Sequence, residues 1–276
     1  KSALALELAR AQGGVVVNAD AMQVYRDLRV LTARPGREDE AGVPHLLYGH
    51  VDGADAYSVA RWLADVARVL EDAPPGQPLI FVGGTGLYFH ALVAGLSQVP
   101  PIDDAVRQHW RTRATTLAPR DLHEELRRID PAMASLLRPT DPQRILRALE
   151  VREGTGRSLL DWQQDVAPPL LPDAERYVLL PDRTELRARI AHRFAGMLEE
   201  GVREEVDALM SRRLDPALPV MKAIGVPPLA ALGRGELSLH DATERAVTNS
   251  RQYAKRQQTW FRNRLADWTA PNGPIP

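Results

Sequence analysis

Two short apolar runs constrain this chain more than any other feature. Val15-Val16-Val17 stands between Gly13-Gly14 and Asn18, and Leu79-Ile80-Phe81-Val82 runs straight into Gly83-Gly84-Thr85-Gly86. Neither run alternates polar with apolar residues, so each reads as a strand buried on both faces. Helical patterns flank them. Ser2 to Ala11 carries Leu4, Leu6 and Leu8 among alanines with no breaker before Gly13. Tyr57 to Leu70 places Val59, Trp62, Leu63, Val66, Ala67 and Leu70 on one stripe and ends before a Pro-Pro-Gly turn at Pro74 to Gly76. Helix, strand, helix, strand is the order of an α/β fold whose parallel sheet is covered on both sides.

The rhythm changes at Val99-Pro100-Pro101. From Ile102 to Gln164 helical segments are punctuated by Asp130-Pro131, Arg138-Pro139 and Asp141-Pro142, with no strand pattern among them. Tyr177-Val178-Leu179-Leu180 then reads as a further strand, and amphipathic helices continue to Arg264. The expected organisation is an α/β core over 1–100 and 165–276, interrupted by an all-helical insertion over 101–164. With 276 residues, 44% of them hydrophobic, such a core can be filled. No apolar run approaches the length of a membrane span and no leader is visible, and cysteine is absent, which excludes disulfides and thiolate metal sites and suits a reducing, cytoplasmic setting. The net charge of −1 conceals a basic stretch from His240 to Arg264, with six Arg or Lys against Asp241 and Glu244. That stretch is open to two readings, a solvated helix face or a contact with phosphate.

In parallel sheets of this kind, ligands sit at the carboxyl ends of strands. Three groups fall at such places: Lys1-Ser2 at a helix start, Asn18 to Tyr25 after the first strand, and Gly83 to Gly86 after the second. Each alone has an ordinary explanation, Asp20 as a cap or turn residue and Thr85 as part of a glycine turn. Together they would bring a cation, a hydroxyl and a carboxylate into one crevice. Lys-Ser before an apolar helix also matches the end of the phosphate-loop pattern G-x-x-x-x-G-K-[ST], in which the hydroxyl reaches Mg²⁺. The expected core is therefore P-loop NTPase-like, with ATP binding suggested by the loop pattern, while the glycine-rich half of that loop and its strand are missing from the sequence.

The stretches NADAMQVYRDLRVLTARP, VPHLLYGHVDGADAYS, LIFVGGTGLYFHALVAGLSQVPP, DPQRILRALEVREGTGRSL and SRQYAKRQQTWFR closely resemble the bacterial tRNA dimethylallyltransferases, in order and over nearly the whole chain. The resemblance implies transfer of a dimethylallyl group from dimethylallyl diphosphate to N6 of the adenosine next to the anticodon, with Mg²⁺ as cofactor and no membrane partner; a monomer is expected. It implies that Lys1 and Ser2 hold the diphosphate, Ser2 also reaching the metal, that Asp20 is the general base, and that Arg193 lies near the leaving group. It assigns Asp20, Ala21, Met22 and Gln23 to tRNA contact, with Thr85, which is also placed at the catalytic centre. Arg107 and the segment Gln143, Arg144, Ile145, Leu146 and Arg147 are placed on the anticodon stem-loop.

Helical spacing pairs Arg144 with Arg147 and Arg251 with Lys255, each pair suited to a phosphate ribbon. Pairing with local acids, Glu150 or Glu244, is the alternative. Trp260 and Phe261 read as packing residues rather than a base-stacking platform. The chain departs from the family where Met221-Lys222-Ala223-Ile224-Gly225 is followed by Val226-Pro227-Pro228 in place of an aromatic-basic pair, which weakens Lys222 as an RNA contact. Without the glycine half of the loop, the chain as written is expected to have poor activity. A small-molecule kinase would share the Lys-Ser helix start, a non-catalytic RNA-binding module would have no use for Asp20, and AMP could replace tRNA as acceptor, although the helical insertion argues for the larger substrate.

Overall fold

The computed structural model describes residues 1–40 and 42–270. Along the chain these form α1 (Ser2–Gln12), β1 (Val15–Asn18), α2 (Arg37–Glu40), β2 (His45–Leu46), α3 (Val59–Asp72), β3 (Leu79–Val82), α4 (Gly86–Ala94), α5 (Asp104–Thr116), α6 (Pro119–Ile129), α7 (Pro131–Leu136), α8 (Pro142–Thr155), α9 (Leu159–Trp162), α10 (Arg183–Glu199), α11 (Val202–Ser211), α12 (Val226–Gly233) and α13 (Leu239–Arg264), with a 3₁₀ turn at Val220–Lys222. One compact unit comprises Lys1–Val93 and Asp173–Pro276, and the other Ala94–Pro172.

The first unit is built on a parallel sheet ordered β2-β1-β3. Val15, Val16, Val17 and Asn18 pair in register with Leu79, Ile80, Phe81 and Val82, and Val16 and Val17 pair on the other side with His45 and Leu46. β1 is thus the central strand, and all four of its residues are buried. The chain enters it from α1 through Gly13, whose φ of 64° is the left-handed cap that glycine adopts without strain. Ala9 of α1 packs with Val16 and Val43, and small residues there let the helix lie close to the strands. At the carboxyl end of β1, Trp62 of α3 is fully buried, stacks on Tyr88 of α4 with ring centroids 4.5 Å apart, and donates its indole N–H to the Asn18 carbonyl at 2.8 Å.

β2 has no sequence signature, since two residues with one half-buried and one exposed side chain carry no period. Between β1 and β2 lies an irregular segment that the Glu205 carboxylate of α11 organises. The backbone N–H groups of Arg29, Val30 and Leu31 donate to it at 2.6, 2.8 and 2.9 Å. Tyr177–Leu180 is a correction to the sequence reading: among the described residues it forms no strand, only a parallel bridge from Tyr177 to Thr269. Pro181 lacks an N–H and Asp182 already caps α10, accepting from Thr184 and Glu185, so there is no room to extend the ladder.

The second unit is helical apart from one antiparallel bridge between Ser97 and Val166. Its Asp-Pro dipeptides start helices: the carboxylates of Asp130 and Asp141 accept from the N–H groups of Met133 and Arg144, with proline in the first turn. Trp110, Leu122, Leu126, Met133, Ile145 and Leu149 are at the centre of its core. No helix among the described residues is long and apolar enough to cross a membrane.

Two of these interactions can be tested through stability. Trp62→Phe keeps an aromatic ring but leaves the Asn18 carbonyl without its donor, and should cost roughly 1–3 kcal/mol by urea unfolding. An unchanged midpoint would show that the indole hydrogen bond carries no weight. Glu205→Ala removes the shared acceptor of three N–H groups, and limited proteolysis should then cut first between Met22 and Arg34; a cleavage pattern like the parent's would count against that role.

Candidate active site

The site is assembled where β1 and β3 end. Asn18 is wholly buried, and its amide group holds the next two residues in a tight turn. Its Nδ2 donates to the carbonyls of Asp20 and Leu47, each at 3.0 Å, while its Oδ1 accepts from the Asp20 N–H at 2.9 Å. The Asp20 carboxylate in turn accepts from the Met22 N–H at 3.0 Å through Oδ1. Thr85 joins this turn to the end of β3: its Oγ1 accepts from the Ala21 N–H at 2.9 Å, and its own N–H donates to the Ala19 carbonyl at 3.2 Å. Glycine is required at position 83, because a Cβ there would overlap the Ala19 carbonyl.

The charged groups expected from the sequence converge here. An ideal Cβ placed on Gly84 would lie 3.2 Å from Asp20 Oδ2 and 3.3 Å from Lys1 Nζ, so the carboxylate and the ammonium border the same small space. Burial of its charged end lowers the Lys1 ammonium from its usual value, Asp20 pulls it back up, and Arg193 pushes it further down. The Arg193 guanidinium is lowered by burial and by Arg189 one turn away, against the pull of Asp20. Both residues retain exposed surface, so their enclosed charged ends remain reachable from solution. Tyr48, Tyr88 and Tyr253 all have their phenols raised by burial first and then by charges that include Asp20, so their hydroxyls stay neutral within range of that carboxylate.

Ala21, Met22 and Gln23 are half-buried, and the Gln23 amide donates to the carbonyls of Thr32 and Ala33 at 2.8 and 3.0 Å. Ser2 is exposed in the first turn of α1. No group of three or more His, Cys, Asp or Glu side chains among the described residues could hold a metal by itself. Mg²⁺ commonly takes one or two protein oxygens and fills its remaining positions with phosphate and water, a pattern that the Ser2 hydroxyl fits.

On α13, Trp260 packs against Gly86, where a Cβ would overlap its ring, in keeping with a packing role. Gln257, three residues earlier, donates to the Gly84 carbonyl at 2.6 Å. Arg251 forms no ion pair with Glu244 among the described residues, and its buried Nε lacks a hydrogen-bond partner. Lys255 and Lys222 are exposed. In the helical unit, Gln143, Arg144 and Arg147 are exposed and Arg107 is half-buried. Arg144 lies 3.4 Å from Asp141, and Arg147 and Arg111 lie 3.8 and 3.7 Å from a buried Glu150. Ile145 is 0% exposed, and Leu146 is half-buried against the same core. The sequence reading included Asn18 in the group after the first strand but gave its amide no role, and it missed Trp62 and Gln257 as parts of the site. Asn-x-Asp after a strand is the turn pattern that could have shown the first, whereas Trp62 and Gln257 come from distant helices and carry no local signal.

A family model described as IPP transferase matches residues 23–264. The tRNA dimethylallyltransferase of Nitrobacter hamburgensis is 55% identical over 98% of this chain and 87% of its own length. That of Methylobacterium nodulans is 54% identical over 97% of this chain and 90% of its own length. Among solved structures, the full-length tRNA isopentenylpyrophosphate transferase of Bacillus halodurans superposes with a TM-score of 0.68 at 32% identity, over 98% of this chain and 85% of that one. A eukaryotic dimethylallyltransferase captured acting on tRNA superposes with a TM-score of 0.76 at 28% identity, over 95% of this chain and 66% of that one. With this coverage and identity, the chain belongs to the IPP transferase family.

Proposed function

We propose that this protein transfers a dimethylallyl group from dimethylallyl diphosphate to N6 of the adenosine next to the anticodon in tRNA, releasing diphosphate. The observation that carries the reading is the convergence of Asp20 Oδ2 and Lys1 Nζ on the space beside Gly84, with Arg193 close enough to depress the same lysine. One carboxylate opposite two cations matches a reaction that takes a proton from one partner and builds negative charge on the other.

In the transfer, the bond from the allylic carbon to the diphosphate oxygen breaks and the N6–carbon bond forms. The electron pair of the broken bond leaves on diphosphate, where Lys1 and Arg193 offset the growing charge. Asp20 accepts the N6 proton, a contribution typically worth ~10²–10⁴ in rate. Thr85 keeps the Asp20 turn against the Gly84 loop through the Ala21 N–H. Ser2, at the start of α1 as in a phosphate loop, would hold Mg²⁺ together with diphosphate oxygens. When bound, the ion supplies further neutralisation of the leaving group. The adenine must leave the anticodon stack to react, and Arg107, Arg144 and Arg147 would hold the RNA backbone while it does. Arg251, Lys255 and Lys222 are further phosphate contacts in this reading, and the protein acts as a monomer in the cytoplasm.

Asp20→Asn should retain binding of tRNA and dimethylallyl diphosphate and lose about 10²–10⁴ in single-turnover rate. Turnover near the parent's would remove Asp20 from the role of base. Label from dimethylallyl diphosphate should enter tRNA and not AMP, and ATP should not replace the prenyl donor. Arg144→Ala with Arg147→Ala should flatten the dependence of log tRNA affinity on log salt by roughly 1.5, about 0.7–0.9 for each phosphate that is no longer neutralised. An unchanged slope would take the helical unit out of RNA binding.

A further inference from the structure

Gln257 and Trp260 are three residues apart on α13 and share a face of the helix. Both are seated on the turn that follows β3, Trp260 against Gly86 and Gln257 on the carbonyl of Gly84 at 2.6 Å. Gly84 is buried and its φ lies outside the left-handed region, so the backbone does not demand glycine there. Space does. A Cβ at this position would lie 2.7 Å from Gln257 Nε2, 3.2 Å from Asp20 Oδ2 and 3.3 Å from Lys1 Nζ. Three polar groups from three separate parts of the chain thus border the one place where a side chain is missing.

We propose that Gln257 is a positioning residue for the prenyl transfer, fixing the Gly84 peptide so that Asp20 and Lys1 face a common gap, and that the missing Gly84 side chain keeps that gap open for the reacting groups. The inference rests on the reading of Asp20 as the base. An uncapped carbonyl oxygen beside Asp20 would turn partial negative charge toward the diphosphate. The Gln257 amide engages that oxygen without bringing a charge of its own. A leucine would leave the carbonyl bare, and an ionised glutamate, which only accepts hydrogen bonds, would repel it. Gln257 is also within hydrogen-bonding reach of Tyr253, whose hydroxyl the Asp20 carboxylate influences.

The test uses the complete protein with tRNA and dimethylallyl diphosphate, comparing Gln257→Leu, Gln257→Glu, Gly84→Ala and Asp20→Asn. Gln257→Leu should lower kcat about ten- to hundredfold, the scale of a small misplacement of reacting groups, with KM for tRNA held within about twofold. Gln257→Glu puts a second carboxylate beside Asp20, among Lys1, Arg193 and the neutral hydroxyls of Tyr48, Tyr88 and Tyr253. The acid limb of kcat/KM should then move to higher pH by roughly one unit, because like charges hold a shared proton more tightly. A helix-packing role alone would not move that limb. Gly84→Ala should lose turnover, and because its Cβ crowds the Gln257 amide it should lower the urea midpoint no further than Gln257→Leu does. Gln257→Leu within about twofold of the parent, together with an unshifted acid limb in Gln257→Glu, would overturn the proposal. If Asp20→Asn is inactive while the Gln257 variants are normal, this inference alone fails; if Asp20→Asn turns over normally, the reading beneath it fails.

Discussion

The buried amide of Asn18 is the interaction on which the rest of the site depends. It ends the central strand, and every polar atom it brings into the interior finds a partner: Nδ2 with the Asp20 and Leu47 carbonyls, Oδ1 with the Asp20 N–H, and its own carbonyl with the Trp62 indole. A buried polar group left unpaired costs about 1–3 kcal/mol, so this many simultaneous bonds admit one arrangement of the turn. That arrangement puts the Asp20 carboxylate at the mouth of the sheet. It also draws in β2, whose following residue Leu47 is one of the acceptors, and α3, whose tryptophan closes the strand end.

Around this turn the charges are distributed by sign. The carboxylate comes from the end of β1, and the cations come from Lys1 before α1 and from Arg193 on α10. The phenols nearby stay neutral because burial and the Asp20 charge both disfavour phenolate. In such surroundings the Asp20 carboxylate faces the cations Lys1 and Arg193 beside neutral hydroxyls. The helical unit obeys a different rule. Glu150 is buried between Arg111 and Arg147 at distances longer than a hydrogen bond, so it offsets their mutual repulsion without occupying their N–H groups.

The architecture was legible where burial wrote itself into composition. An uninterrupted apolar run such as Val15 to Val17 has one stable environment, the middle of a covered sheet, and Asp130-Pro131 and Asp141-Pro142 each supply a capping carboxylate before a first-turn proline. Tyr177–Leu180 misled because four residues of strand-like composition say nothing about whether a partner edge is available, and Pro181 with the Asp182 cap removed the room for one. β2 was invisible for the opposite reason, its two residues being recruited by β1 rather than by any preference of their own. In the helical unit, the run Gln143 to Arg147 looked uniform as a motif, yet helical geometry turns Ile145 into the core and Arg144 and Arg147 outward.

The sequence by itself determined β1, β3, the helical insertion and the candidates Lys1, Asp20 and Thr85, since these follow from local pattern and from the position of residues at strand ends and a helix start, while Arg193 came from the family resemblance alone. Only the tertiary structure decided which of them share a space. Lys1 and Asp20 border the same gap because Gly84 has no side chain and because Gln257, far along the chain on α13, holds the Gly84 carbonyl. Such contacts depend on how helices pack against the sheet, and no period or propensity along the chain encodes them.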